Sequence, residues 1–328
     1  MPRILLTQPI HPLAQARLAA LGELVVAPNT APDTLRACAA GCEVVMVRAQ
    51  LPTDIFAAAP SLVGAVRHGA GVDMIPITQA SAHGVLVANV PGVNANAVAE
   101  HVLRSLLQLA RLSAQMALRL RERSAGWAQA RAFADAGFEL NGRTLGLVGY
   151  GHVGRAIARL CAGGLSMKVL VHTRSPLVPA DDRVVRVPLA ELLAQSDFVV
   201  LACPLTDETR GLIGAAQLAL MKRGACLVNV ARGPVVQEPA LVEALKSGRL
   251  AGAALDVFDT IPLPDDHPYW RLDNVLITPH VAGITEDSML AMGRAAVVAV
   301  EHLLRGDLPP NCINPQALPA FQRRMRRP

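Results

Sequence analysis

The sequence predicts an α/β protein built as two parallel-sheet domains, and three observations carry the prediction. The chain is 328 residues long, beyond the roughly 250 to 300 residues at which a single hydrophobic core stops growing. Apolar residues make up 52% of it and aromatic residues only 3%, so the cores must be assembled from Ala, Val and Leu, a mixture suited to helices packed on parallel strands. Short β-rich runs alternate with Ala/Leu-rich helical stretches, the pattern of successive βαβ units.

Taken in order, strand-like runs fall at 4–7, 24–27, 44–47, 62–67 and 85–89. Pro91 and Gly92 break the pattern, and Asn94 or Asn96 is placed to cap a long helix whose apolar positions Val98, Val102, Leu103, Leu106 and Leu109 recur at helical spacing. That helix is expected to leave the first domain. After a polar stretch at 126–141, a second βα series opens at 144–148 and runs to Thr278. Residues 288–304 are helical again and stop at Gly306, and 308–315 read as extended and proline-rich. One helix and one extended segment cannot hold a core of their own, so this tail is expected to dock on one of the two sheets.

Composition excludes several classes of function. The net charge of +5 is spread along the chain, and the one dense cluster, Arg323, Arg324, Arg326 and Arg327, reads as a solvated end, so no nucleic-acid partner is expected. The six cysteines form no C-x-x-C pair, and several lie in apolar runs where Cys behaves as a small hydrophobe, which fits a reduced, cytoplasmic setting. The opening segment enters a strand pattern directly, and no apolar run approaches the ~20 residues of a membrane span. The expectation is a protein neither exported nor embedded in a membrane, and no residue set is assigned to a metal.

The strongest local signal is Gly149-Tyr150-Gly151-His152-Val153-Gly154, which follows the apolar run 145–148 and precedes the helical 155–161. In that context the first Gly makes a tight turn, the second admits a pyrophosphate to the backbone, and the third lets helix pack on strand. The helix start then offers free amides and partial positive charge to phosphates. This predicts a dinucleotide cofactor. An Asp or Glu usually ends the next strand and holds the adenosine ribose hydroxyls. Here that strand, 168–172, ends in Thr173-Arg174-Ser175, with no acid before Asp181. Arg174 and Ser175 suit a 2′-phosphate, so NADP is preferred over NAD. The alternative is an NAD enzyme with an exposed arginine after an edge turn.

Together with these, the segments His68-Gly-Ala-Gly-Val-Asp73, Gly84-Val-Leu-Val-Ala-Asn89, Val98-Ala-Glu-His101, Cys203-Pro-Leu-Thr206, Asn229-Val-Ala-Arg-Gly233, Leu255-Asp-Val-Phe258 and Thr278-Pro-His-Val-Ala-Gly283 occur in one order along nearly the whole chain. In this the protein resembles the D-isomer-specific 2-hydroxyacid dehydrogenases, the family of phosphoglycerate dehydrogenase and glyoxylate/hydroxypyruvate reductase. The resemblance implies two Rossmann-like lobes, one flavodoxin-like and one a Rossmann fold, with an active-site cleft between them. The substrate-binding lobe would comprise 1–95 plus 285–328, and the dinucleotide-binding lobe 96–284. It also implies a homodimer formed through the long helix near Asn96.

Reduction of a 2-oxo acid needs a hydride at C2, a proton at the carbonyl oxygen and donors for the carboxylate. By the resemblance, Arg232 forks to the substrate carboxylate and carbonyl, and His280 is the acid/base residue. Asp256 would receive the nicotinamide carboxamide, while His152, Val153, Val230, Ala231 and Gly283 line the cofactor and Cys203, Pro204 and Thr209 border adenine. The loop Gly69-Ala70-Gly71 would present the Ala70 and Gly71 amides to a carboxylate. Arg48 matches a substrate-binding arginine of phosphoglycerate dehydrogenases and hints at a second anionic group on the substrate; Arg67 is a weaker candidate.

One departure stands out. The family pairs its histidine with a Glu directly before a Pro, and here that position is Ile261, ahead of Pro262. An isoleucine neither favours the charged imidazole nor orients it, so 2-oxo acid reduction is expected to weaken toward alkaline pH unless Asp259 swings in. Three functions therefore stand open: a 2-oxo acid reductase, a related dehydrogenase needing little proton transfer, and a dinucleotide-binding sensor or interaction protein.

Overall fold

The computed structural model describes residues 1–174 and 182–326. In chain order its elements are β1 (Arg3–Leu6), α1 (Pro12–Ala19), β2 (Glu23–Val26), α2 (Pro32–Ala39), β3 (Val44–Val47), α3 (Ile55–Ala58), β4 (Gly64–Arg67), α4 (Ile77–Ala82) and β5 (Leu86–Ala88). Then follow α5 (Ala95–Arg111), α6 (Ser113–Leu120), α7 (Trp127–Ala136), β6 (Thr144–Val148), α8 (His152–Ala158), β7 (Lys168–His172), β8 (Val184–Arg186), α9 (Leu189–Gln195) and β9 (Phe198–Leu201). The chain continues with α10 (Ala215–Leu220), β10 (Cys226–Asn229), α11 (Glu238–Lys246), β11 (Gly252–Leu255), β12 (Val275–Ile277), α12 (Glu286–Arg305) and α13 (Leu318–Met325).

Two compact units result, Met1–Asn94 with Ile284–Pro328 and Ala95–Gly283. The first unit holds a five-stranded parallel sheet of order β2-β1-β3-β4-β5. Its strands are apolar at successive positions because helices cover both faces. Ile4, Leu6, Met46 and Val66 pack on one side with Met292, Ala296, Val300 and Leu303 of α12 and Phe321 of α13. Leu5, Val45, Val47 and Ala65 pack on the other with Leu35 and Phe56. The tail thus docks on this sheet, and Cys312 bridges antiparallel to Ala88. Thr285 and Ser288 cap α12 reciprocally, and Gly306, left-handed at φ 83°, ends it.

The second unit holds a seven-stranded parallel sheet, β12-β11-β10-β9-β6-β7-β8. Strand order reverses between β6 and β9, so the loop after β6 lies at a topological switch point, where such sheets bind ligands. Two local features differ from expectation. The stretch 126–141 contains α7, whose Ala-rich WAQARAFADA run favours helix despite its polar residues. Asn96 lies inside α5 rather than at its cap, accepting from Arg159 Nη2 at 2.9 Å. Among the described residues no helix is long and apolar enough to cross a membrane, and all six cysteines are free thiols.

Candidate active site

The turn between β6 and α8 takes its shape from its glycines. Gly149 has φ +100°, and a Cβ there would lie 2.7 Å from the Cys203 amide nitrogen. At Gly154 a Cβ would sit 2.3 Å from the Gly149 carbonyl oxygen, so only glycine lets α8 pack this closely on the turn. Gly151 has no heavy atom within 4 Å of where its Cβ would be, which leaves the backbone open to a ligand. Beside this turn is a cavity of about 530 Å³ lined by Gly149, Gly151, Thr173, Arg174, Cys203, Pro204 and Thr209 among others. These glycines and this space fit the pyrophosphate half of a dinucleotide. His152, Val153 and Gly154 open the adjoining helix. Ser175 lies outside the described residues.

The sequence reading did not single out Tyr150, Arg155, His172 and Glu208, which also line the cavity. Glu208 matters most, because its Oε2 is 3.9 Å from Arg174 Nη1. It also accepts the Thr206 hydroxyl at 2.6 Å, and that bond, with Arg174 contributing, holds its carboxyl below the usual carboxylate value. Thr209 shapes the same loop, donating to the Pro204 carbonyl at 2.7 Å and accepting from the Thr206 amide at 2.7 Å.

Farther along the sheet, β10, β11 and β12 run in register, with Asn229 opposite Leu255 and Leu255 opposite Ile277. Arg232 and His280 each stand three residues beyond that row. Strand spacing of ~4.8 Å puts their two strands about 10 Å apart, with β11 between. Both are carried on turns braced by a buried polar residue at a strand end. Asn229, 1% exposed, accepts from the Ala231 amide at 3.0 Å and donates to the Arg232 carbonyl at 3.0 Å. Asp256, 2% exposed, accepts from the Thr278 hydroxyl at 2.6 Å and from the Val281 and Ala282 amides, each at 2.9 Å. Three donors leave one lone-pair position of the carboxylate for a further ligand.

His280 is exposed and has φ +57°, a left-handed conformation worth about 1–3 kcal/mol of strain for a non-glycine residue. The Asp256 bonds on either side over-determine it. His101 of α5 completes this region: its Nε2 lies 3.4 Å from Thr278 Oγ1, and burial, opposed by Asp256 and reinforced by Arg104, holds its pKa below the usual histidine value.

In the first unit, the carbonyls of Gly69, Ala70 and Gly71 accept from the Val90 amide, Asn89 Nδ2 and Arg67 Nε. The amides of Ala70 and Gly71 have no acceptor among the described residues and so are available to an anion. Arg48 lies at this sheet's own switch point, its amide 2.8 Å from Thr7 Oγ1 and its guanidinium against Pro9 O and Met289 Sδ. Burial lowers its pKa. His68 is 3% exposed, and neither of its ring nitrogens is hydrogen-bonded among the described residues.

The family model described as D-isomer specific 2-hydroxyacid dehydrogenase, NAD binding domain, matches residues 103–282. The chain is also 35% identical over 336 residues to a glyoxylate reductase of Korarchaeum cryptofilum (strain OPF8), covering 98% of this chain and 99% of that one. It belongs to the D-isomer specific 2-hydroxyacid dehydrogenase family. A glyoxylate/hydroxypyruvate reductase B of Yersinia pestis is 33% identical over 293 residues, 89% of each chain. A crystal structure of an NADPH-dependent glyoxylate/hydroxypyruvate reductase from Sinorhizobium meliloti, in complex with NADP and malonate, superposes with a TM-score of 0.83 at 29% identity, covering 100% of this chain and 99% of that one.

In this 2-hydroxyacid dehydrogenase Ile261 stands where the family's Glu is expected. Ile261 is 63% exposed, and Asp259 has partial burial and Glu238 raising its pKa, against Arg210. Asn229, Thr278 and His101 carried no assigned role in the sequence. The available signal was a polar residue closing an apolar strand, as in Cys226-Leu-Val-Asn229, because buried polar groups must find partners. Among the described residues no three His, Cys, Asp or Glu side chains converge as a metal site.

Proposed function

We propose that this family member transfers hydride between a nicotinamide dinucleotide and a small 2-oxo or 2-hydroxy acid, acting as a reductase of glyoxylate- or hydroxypyruvate-like acids. The observation that carries the reading is the pair of braced turns that bear Arg232 and His280, each three residues beyond one in-register row of β10, β11 and β12. The relatives named as glyoxylate reductases favour catalysis over a dinucleotide-binding sensor.

When bound, the cofactor supplies the hydride that adds to C2. Arg232 holds the carboxylate and carbonyl by charge-assisted hydrogen bonds and stabilises negative charge on the carbonyl oxygen. His280 delivers the proton to that oxygen, and takes it back in the reverse direction. Asp256 has an acceptor position left for the nicotinamide carboxamide. Val230, Ala231 and Gly283 flank these turns. The Ala70 and Gly71 amides and Arg48 are the candidates for substrate carboxylate groups.

We further propose NADP over NAD, since Arg174 lines the cavity and its guanidinium makes an exposed contact to Glu208, which a 2′-phosphate exchanges readily. The S. meliloti relative binds NADP. Self-association is the favoured oligomeric reading: α6 buries none of its own residues, and Leu107, Leu118, Leu120 and Trp127 are exposed along α5–α7.

The test follows NADPH and NADH oxidation with a panel of 2-oxo acids, in the wild type and in Arg232→Gln and His280→Gln. Turnover should fall roughly a hundredfold or more in each variant. Wild-type protein that oxidises neither cofactor with any acid of the panel sinks the proposal.

A further inference from the structure

The chain Thr278, Asp256 and His101 has a direction. A carboxylate only accepts, so Thr278 donates its hydroxyl proton to Asp256 Oδ1 and its oxygen is then left to accept from His101 Nε2–H. The same Oδ1 takes the Val281 amide and Oδ2 the Ala282 amide. Asp256 is therefore held in the rotamer that grips the two residues after His280, while Thr278, two residues before it, is pinned to the same carboxylate.

We propose that Thr278 is a positioning residue for His280. It acts through Asp256 to set the left-handed turn that carries the imidazole, so the backbone contributes to the orientation of the ring. His101 supports it from α5 by fixing the hydroxyl's direction. The proposal rests on His280 acting as the proton donor, and its test separates the two.

Three variants decide it: Thr278→Val, which removes the hydroxyl at nearly constant shape, Thr278→Ser, which restores it, and His101→Leu, which removes only the supporting donor. Thr278→Val should lose kcat roughly tenfold to a hundredfold, as for misplacement of a reacting group. Its Kd for the 2′-phosphate of ADP-ribose, which carries no nicotinamide, should stay within about twofold, and Thr278→Ser should recover most of the loss. A kcat within twofold of wild type, an equal loss in Thr278→Ser, or a parallel loss of that Kd overturns the proposal. If Thr278→Val does not fold, a kcat for His101→Leu unchanged from wild type overturns it, and a loss of about threefold or more supports it.

The ligand-free protein provides the separate readout. In carbon-proton spectra the His280 ring signal should shift or broaden in Thr278→Val, or in His101→Leu, while that of His267 stays in place. An unmoved His280 signal overturns the positioning role. A wild type inactive on every 2-oxo acid overturns the proposed function instead, and leaves this readout to decide Thr278.

Discussion

Acidification should destabilise this protein through His68 before it reaches the carboxylates. The ring is 3% exposed, and among the described residues neither nitrogen has a hydrogen-bond partner. Burial first, then the nearby Arg48 and Arg67, lower its pKa from 6.5 to about 4, and the main-chain groups of His68 and Met289 offset this only weakly. The folded ring therefore stays neutral where the unfolded chain already binds a proton. Stability is present in full above the unfolded pKa and is lost as pH falls from 6.5 toward about 4. At about 1.4 kcal/mol per pH unit the complete loss is about 3 kcal/mol, more than half of which falls between pH 7 and pH 5. His68→Leu removes the titrating group while keeping an apolar side chain in the site. Urea unfolding of both proteins, followed by circular dichroism at several pH values, isolates the His68 share as the difference between their pH profiles. Wild type should lose more stability than the variant over that interval, and the variant's profile should be the flatter. Parallel profiles, differing by less than about 0.5 kcal/mol, would refute a neutral buried His68.

Gly154→Ala places a methyl 2.3 Å from the Gly149 carbonyl, so NADPH affinity measured by fluorescence should drop about tenfold or more, with a cost of about 1–3 kcal/mol visible in the melting temperature. Arg174→Asp should turn the ratio of NADPH to NADH affinity toward NADH, and Glu208→Gln should turn it further toward NADPH by removing a carboxylate from the phosphate's surroundings; unchanged ratios in both would refute the NADP assignment. Ile261→Glu replaces a side chain that is 63% exposed, so folding should be undisturbed. Reduction should then persist to higher pH than in the wild type, where it should weaken toward the alkaline side. A pH-rate profile identical in the two proteins argues against any role for that position.

The glycine turn, the strand 168–172, which matches β7 from end to end, and the helix near 288–304, observed as Glu286–Arg305, were all legible in the sequence. Each depends on interactions between residues a few positions apart: turn chemistry, apolar periodicity and caps. Arg232 and His280 were singled out as candidates from the sequence because the short patterns around them are themselves local. Their placement was not legible. That each stands three residues beyond one row of the sheet follows from the register of β10, β11 and β12, which joins Asn229, Leu255 and Ile277. Tertiary structure alone decided that Glu208 meets Arg174, that Asp256 is closed in by Thr278 and two amides, and that His68 lies buried beside two arginines. Such pairings join residues from 22 to 34 positions apart, or leave a group without a partner, and they depend on which strand ends the topology makes neighbours and how much water it excludes.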